Sequence, residues 1–309
     1  MSRTTIRTIT VEPLNIPLLE PFSIATGTTN DARNVLITIM LEDGSRGYGE
    51  CAPFTPSTGE TQGTALSSAQ GCAELIKGRD AAHWRSLSRL IRGVYFSQGT
   101  AIAGIEMALL DALTRSYGIP LYVFFGGAST SVETDMSIPM VTPERGYDLA
   151  KETVARGISS IKIKVGGDLR DDVARVEAVR EGAPNVGLIL DANAADESAY
   201  SAANVAHLIE MGAVNVVNIK LMKSGFVEAL DIAAVCRARH TELMIGAMME
   251  SRLAIAAAAH FVAGLGDFRF VDLDTPMLLA EDPFTGGYEQ SGGVYDVSGV
   301  KSGLGIERK

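Results

Sequence analysis

Residues 159–198 read SSIKIKVGGDLRDDVARVEAVREGAPNVGLILDANAADES. Two short apolar runs, at 159–165 and 186–190, have the length of buried strands. Between them, residues 170–181 space their apolar side chains as a helix does. The order strand, helix, strand predicts a βαβ unit with parallel strands.

The same alternation continues in both directions along the chain. It predicts strands at 136–141, 214–219, 243–245 and 268–273, and helices at 144–155, 198–211, 225–239 and 251–264. Six parallel strands indicate either a βα barrel or an open doubly wound sheet.

The residues before this region follow a different pattern. Residues 4–50 alternate apolar and polar side chains and predict an antiparallel sheet, while helical spacing prevails between 62 and 126. We therefore expect a small α+β domain at 1–127 and a βα domain at 128–283. The Gly-rich segment 284–309 is expected to pack back on the first domain.

Composition narrows the class of protein. The chain has 309 residues, 46% of them hydrophobic, and a formal net charge of −10, which argues against nucleic acid or an anionic membrane as the main partner. The N-terminus has no signal-peptide core, and the Ala-rich run 254–263 is too short to span a bilayer. Three Cys without CxxC spacing indicate free thiols in a reducing cytoplasm.

Ionisable residues stand at the ends of five consecutive predicted strands. They are Lys162 and Lys164, Asp191, Lys220 and Lys223, Glu250, and Asp272 with Asp274. A single such residue is most often solvated or caps a loop. Because βα barrels carry their active sites at the carboxyl ends of their strands, the concurrence predicts a catalytic site.

Several motifs resemble one known family. They are KIK (162–164), DAN (191–193), ADES (195–198), VNIKLMKSG (217–225), ESRLAIAAAAH (250–260), DLDTP (272–276), YGECAPFTPSTGET (48–61) and GLGIE (303–307). Together they resemble the dipeptide epimerase branch of the enolase superfamily, which is similar to the muconate lactonizing enzymes. The resemblance implies an α+β capping domain on a modified TIM (β/α) barrel. It also implies an isomerase that uses Mg²⁺ and moves a proton at the α-carbon next to a carboxylate, through an enediolate.

The resemblance assigns roles to residues of this chain. Lys164 and Lys220 would exchange protons with opposite faces of the substrate α-carbon, which permits inversion. Lys162 would help bind the substrate carboxylate and act on Lys164 through like-charge repulsion. The implied substrate-binding residues are Asp272 and Asp274, which would receive the ammonium group of the dipeptide, and Glu250 as their supporting partner.

The implied metal ligands are Asp191 and Asp196. The family pattern has a third carboxylate on a strand between these two motifs, but here only Ala194 and Ala195 separate Asn193 of DAN from Asp196 of ADES. The chain therefore has an apparent internal deletion of about two βα units from an eight-stranded barrel. Exposed strand edges at the gap would favour a homo-oligomer. Alternatively, Asp196 serves only the N-terminal cap region of helix 198–211.

The substrate's second residue, the reaction and the activity of the chain are open to more than one interpretation. Gly27 stands where family members that act on Ala-Glu dipeptides offer an Arg, which favours a neutral or apolar second residue in the substrate. Another reaction of the superfamily is one alternative, either cycloisomerisation or N-acylamino acid racemisation. A catalytically impaired or non-catalytic, atrophied member is the other.

Overall fold

The computed structural model describes residues 2–24, 27–191 and 200–309. The chain begins with an antiparallel sheet of β1 (Ile6–Ile24), β2 (Gly27–Leu41) and β3 (Arg46–Cys51), in that order. Residues 35–41 of β2 supply several buried aliphatic side chains, such as Val35 and Ile37, both 0% exposed. The sheet therefore has a face that helices can cover.

Five helices follow this sheet. They are α1 (Thr55–Thr58), α2 (Gln62–Ile76), α3 (Trp84–Tyr95), α4 (Gly99–Tyr117) and α5 (Leu121–Phe124), with a 3₁₀ turn at Ala81–His83. Helix α4 packs directly on β3, where a Cβ built on Gly47 would lie 2.2 Å from the carbonyl oxygen of Ala108. Only glycine permits this approach of helix to strand.

Strands and helices then alternate. They are β4 (Ser131–Glu133), β5 (Met136–Ile138), α6 (Pro143–Ala155), β6 (Ser160–Lys164), α7 (Leu169–Gly182), β7 (Gly187–Asp191), α8 (Ala202–Glu210), β8 (Val216–Lys220), α9 (Leu221–Ala238), β9 (Glu242–Gly246), α10 (Arg252–Leu265) and β10 (Phe268–Asp272). Strands β5, β6 and β7 form one parallel sheet, and β8, β9 and β10 form another. The predicted order of elements is thus present in the described residues.

The two parallel sheets meet between β10 and the start of β5. The amide of Asp135 donates to the carbonyl of Val271 over 3.0 Å, which places these strands side by side. At the other side, the described part of the chain contains no ladder between β7 and β8. Leu190, near the end of β7, is 58% exposed.

The C-terminal segment returns to the first half of the chain. It contains a 3₁₀ turn at Thr275–Leu278 and the strands β11 (Phe284–Gly286), β12 (Glu289–Ser291), β13 (Val294–Asp296) and β14 (Ile306–Arg308). The amide of Leu304 donates to Asp111 over 2.7 Å, and Arg308 pairs with Glu12. The end of the chain therefore contacts α4 and β1.

Three predicted boundaries were wrong by three residues or more. Strand β5 ends at Ile138 rather than at 141, and α9 begins directly after β8 rather than at 225. The helix predicted at 198–211 begins at Ala202, because the side chain of Ser201 caps it by accepting a hydrogen bond from the amide of Asn204. Within the described ranges, every helix is too short or too polar to cross a membrane.

Candidate active site

The carboxyl ends of β6, β8 and β10 open into one cavity. Its walls include Lys164, Lys220, Asp272 and Asp274 from these strands and the turns that follow them. The N-terminal half of the chain closes it with Phe22, Thr29, Phe54 and Ser57. The structure thus brings together both predicted acid–base lysines and both predicted ammonium-binding aspartates.

Strand β6 carries two lysines near its carboxyl end, at the cavity. Period-two alternation puts Lys162 and Lys164 on the same face, and Lys164 lies opposite Asp191 in the register with β7. The Asp191 Oδ2 atom accepts from the Nζ of Lys162 over 2.9 Å and from that of Lys164 over 2.7 Å. Burial acts to raise the pKa of Asp191, but the two ammonium groups outweigh it and hold that pKa well below its usual range.

Lys162 also joins β6 to β10. Its Nζ lies 2.5 Å from Asp272 Oδ2, and its side chain is only 3% exposed. Burial alone would lower the pKa of Lys162, yet the charges of Asp272 and Asp191 raise it above its ordinary value. Lys162 is therefore a fixed positive charge held between two carboxylates.

Asp274 is held by a different donor. Its Oδ2 accepts from the backbone amide of Ser137 over 2.6 Å, and the carboxyl group is buried. Burial, and after it the charge of Asp272, raises the pKa of Asp274 to about 6. Two carboxyl groups at one wall of a cavity attract a cation such as an ammonium group.

Lys220 is the last residue of β8 and lines the same cavity as Lys164 of β6. Its Nζ donates to the carbonyl of Ala247 over 2.9 Å. Burial, followed by repulsion from Lys162, lowers the pKa of Lys220 to about 8. A lysine with such a pKa can carry or release a proton near neutral pH, as an acid–base catalyst must.

Glu250 lies in the same region but is not part of the cavity lining found among the described residues. It is 2% exposed, and its Oε1 accepts from the amide of Met248 over 2.7 Å. Burial raises the pKa of Glu250 to about 8. Its support of the substrate-binding residues stays a prediction.

The predicted metal ligands are only partly within the described residues. Asp191 supplies a half-buried, ionised carboxylate, the hard oxygen ligand that Mg²⁺ prefers. Asp196 lies outside the described residues, as do Asn193, Ala194, Ala195 and Glu197. In the remainder of the chain, no group of three His, Cys, Asp or Glu side chains could hold a metal ion. The chemistry of Asp191 therefore fits one ligand of such an ion.

Sequence reasoning missed Ser137 and Gly246. Ser137 lies in β5, a strand of three residues, which is too short to show a period. A Cβ on Gly246 would lie 3.2 Å from Lys220 Cε, so this glycine makes room for the lysine. The position of Gly246 at the end of a predicted strand was a signal, since glycine there often marks a close approach.

Fold and site together define a class of protein: a capped βα-barrel protein with lysines and carboxylates at the carboxyl ends of its strands. The chain belongs to the enolase superfamily, in the mandelate racemase and muconate lactonizing enzyme group. The family of mandelate racemase / muconate lactonizing enzyme N-terminal domains matches residues 5–126. The family described as enolase C-terminal domain-like matches residues 147–195 and 194–309.

Characterised relatives and solved structures agree with this family. An aromatic dipeptide epimerase from Herpetosiphon aurantiacus is 39% identical over 98% of this chain and 99% of the relative. A mandelate racemase/muconate lactonizing enzyme structure from Sorangium cellulosum is 42% identical, with a TM-score of 0.94 over 100% of both chains. The dipeptide epimerase of Enterococcus faecalis, solved with Mg and the dipeptide L-Leu-L-Tyr, is 29% identical, with a TM-score of 0.93 over 98% of this chain and 100% of that one.

The comparisons also locate a difference in length. The alignment with the Herpetosiphon relative extends over 352 positions, whereas this chain has 309 residues. The match to the C-terminal domain family is in two pieces that meet at residues 194–195. This is the junction between the DAN and ADES motifs.

Proposed function

We propose that this protein is a magnesium-dependent dipeptide epimerase that transfers a proton at the α-carbon next to the substrate carboxylate. One observation carries the proposal: Lys164, Lys220, Asp272 and Asp274 line a single cavity. The relatives named as dipeptide epimerases, at 39% identity and below over nearly the whole chain, support the same reaction.

Two lysines divide the proton transfer. Lys164 takes the proton from one diastereomer and Lys220 returns one to the opposite face, and the reverse reaction exchanges these roles. Lys220 is suited to this because burial keeps its pKa at about 8, so both protonation states are populated. Lys162, held by Asp191 and Asp272, presents a permanent positive charge for the substrate carboxylate.

We propose Asp191 and Asp196 as the residues that hold the magnesium ion. When bound, the ion supplies Lewis-acid stabilisation of the charge that develops on the substrate carboxylate. Two carboxylates leave most of the six positions preferred by Mg²⁺ to water and substrate oxygen, so we expect binding weaker than in a site with three carboxylates.

The substrate is proposed to be a dipeptide with a free ammonium group and a neutral second residue. Asp272 and Asp274 are placed to receive the ammonium group, and an N-acylated substrate would leave them without a cation. Phe22, Phe54 and Leu278 give the cavity an apolar wall, which suits an apolar side chain better than a charged one.

We further propose a capping domain at 1–127, a shortened barrel at 128–283 and a C-terminal segment at 284–309 that packs on the cap. The barrel would have six parallel strands and lack about two βα units, as the 352-position alignment and the divided family match support. The exposed end of β7 at Leu190 would favour association of two copies at the gap. The three buried free thiols fit a cytoplasmic location.

Half-reactions of lysine variants test the proposed function. In D₂O with Mg²⁺ and an apolar dipeptide, Lys164→Ala and Lys220→Ala should both lose epimerisation. Each should still exchange the α-proton of one diastereomer, and the two variants should differ in which one. If both variants exchange the same diastereomer, the two-lysine assignment is wrong. Lys151→Ala, at an exposed position on α6, is the matched control and should behave as the unchanged protein.

A further inference from the structure

Asp135 is a buried carboxyl group to which the mechanism above gives no task. It directly precedes β5 and is only 3% exposed. Among the described residues, neither of its side-chain oxygens has a hydrogen-bond partner. A buried ionised carboxylate without a partner is strongly unfavourable, so the group needs either a proton or a donor.

The backbone holds Asp135 in place against β10. Its amide donates to the carbonyl of Val271 over 3.0 Å, and the amide of Leu273 donates to Thr134 Oγ1 over 2.8 Å. Ser137, two residues on, donates its amide to Asp274. The segment 134–137 is thus bound to 271–274 at several points, which fixes the backbone of Asp135 beside the end of β10.

The neighbour that Asp135 meets is Asp272. The backbone bonds of 134–137 to 271–274 set the two side chains beside one another, but two ionised carboxylates accept only and cannot bond to one another. In the described part of the chain, Asp272 uses Oδ2 for Lys162 at 2.5 Å, while its Oδ1 has only a long contact of 3.5 Å with Ser137 Oγ. Asp272 therefore has room for one more good donor.

Charge balance leads to the same arrangement. Among the described residues, the groups around this point are the cations Lys162, Lys164 and Lys220 and the carboxyl groups Asp135, Asp191, Asp272 and Asp274, together with Glu250, which a pKa of about 8 leaves neutral at pH 7. If Asp135 is neutral, three carboxylates face three cations. If it is ionised, a fourth negative charge is buried beside Asp272 with no cation of its own.

We propose that Asp135 is a positioning residue, which in its neutral form donates a hydrogen bond to Asp272 and holds that carboxylate between Lys162 and the ammonium group of the substrate. The part that concerns the substrate rests on the proposed function, whereas the neutral carboxyl group does not. In agreement, burial and then the charges of Asp272 and Asp274 raise the pKa of Asp135 to about 9.

Infrared spectroscopy of the full-length protein at pH 7 tests the proton directly. At pH 7 Asp135 and Glu250 should each contribute the carbonyl stretch of a protonated carboxylic acid, shifted in D₂O, and the Asp135 component should be lost in the difference spectra of both Asp135→Asn and Asp135→Leu. Glu250→Gln is the control, because it removes a different buried carboxyl group and should leave the Asp135 band in place. If Asp135→Asn removes no such band, Asp135 is ionised and the proposal is overturned.

Steady-state kinetics tests the positioning. The amide of Asp135→Asn can donate the same hydrogen bond, so KM for a free dipeptide should stay within about threefold of its original value. Asp135→Leu has no donor, so KM should rise about 10-fold or more with a smaller change in kcat. Equal KM values for the two variants would overturn the proposal. If the unchanged protein turns over no dipeptide, the proposed function fails, while the infrared result still decides the state of Asp135.

Discussion

Replacing Gly246 by alanine should disable Lys220 while leaving Lys164 intact. A Cβ at this position would lie 3.2 Å from Lys220 Cε and 2.9 Å from Asn218 Oδ1. The first distance is about 0.5 Å shorter than an ordinary carbon–carbon contact, so the lysine has to move. The shift would loosen the 2.9 Å bond from Lys220 Nζ to the carbonyl of Ala247. Since a misplacement of about 1 Å costs about 100-fold in rate, we expect epimerisation to fall roughly 10- to 100-fold.

The assay follows α-proton exchange of each diastereomer separately in D₂O. Exchange by Lys164 should stay within about twofold of its original rate, and exchange by Lys220 should fall with epimerisation. Gly93→Ala is the matched control, because a Cβ there meets no atom within 4 Å, and its kinetics should be unchanged. Equal and undiminished exchange of both diastereomers by Gly246→Ala would refute the reasoning.

Three further predictions concern pH, the metal ligand and the substrate. Epimerisation needs one lysine neutral and the other protonated. The value of kcat/KM should therefore rise as pH increases through the Lys220 pKa of about 8, equally for epimerisation in either direction, and a pH profile without this rise contradicts the role of Lys220. Asp191→Asn should lower the free energy of unfolding, measured in urea, by about 3 kcal/mol, because two buried ammonium groups lose their shared carboxylate. Calorimetry of this variant should also show no heat of Mg²⁺ binding. An unchanged free energy of unfolding would exclude Asp191 as the partner of the lysines, and an unchanged heat would exclude it as a metal ligand. An N-acetylated dipeptide should have a kcat/KM about 100-fold below that of the free dipeptide, because it cannot form the ion pair with Asp272 and Asp274. Equal kcat/KM values would show that these aspartates do not bind the substrate ammonium group.

The sequence predicted best what depends on local periodicity. The two lysines of β6 fall on one face because strand side chains alternate, and the register with β7 brings Asp191 opposite Lys164 as expected of parallel neighbours. The ends of β8 and β10 could be placed in the same way, because an ionisable residue follows each apolar run. Local pattern therefore located most of the candidate site.

Contacts between distant segments could not be predicted. Helix α9 begins at Leu221 and kinks at Gly225, where φ is 68°. The cause is Glu106 of α4, which accepts from the amides of Phe226 and Val227 over 2.6 and 3.0 Å. Because 120 residues separate Glu106 from Phe226, no local spacing of residues could predict this hydrogen bond. The position of Asp135 beside Asp272 was hidden for the same reason.

Lys164 and Lys220 are proposed to move a proton at the α-carbon in a chain of 309 residues, which is shorter than its 352-position alignment with the Herpetosiphon relative. Proton NMR of the full-length protein with an apolar L,L-dipeptide and Mg²⁺ in D₂O measures this most directly. We predict that the α-proton signal of the C-terminal residue disappears, that the other diastereomer appears, and that EDTA stops both. A folded protein that leaves this signal unchanged at saturating Mg²⁺ would contradict the claim.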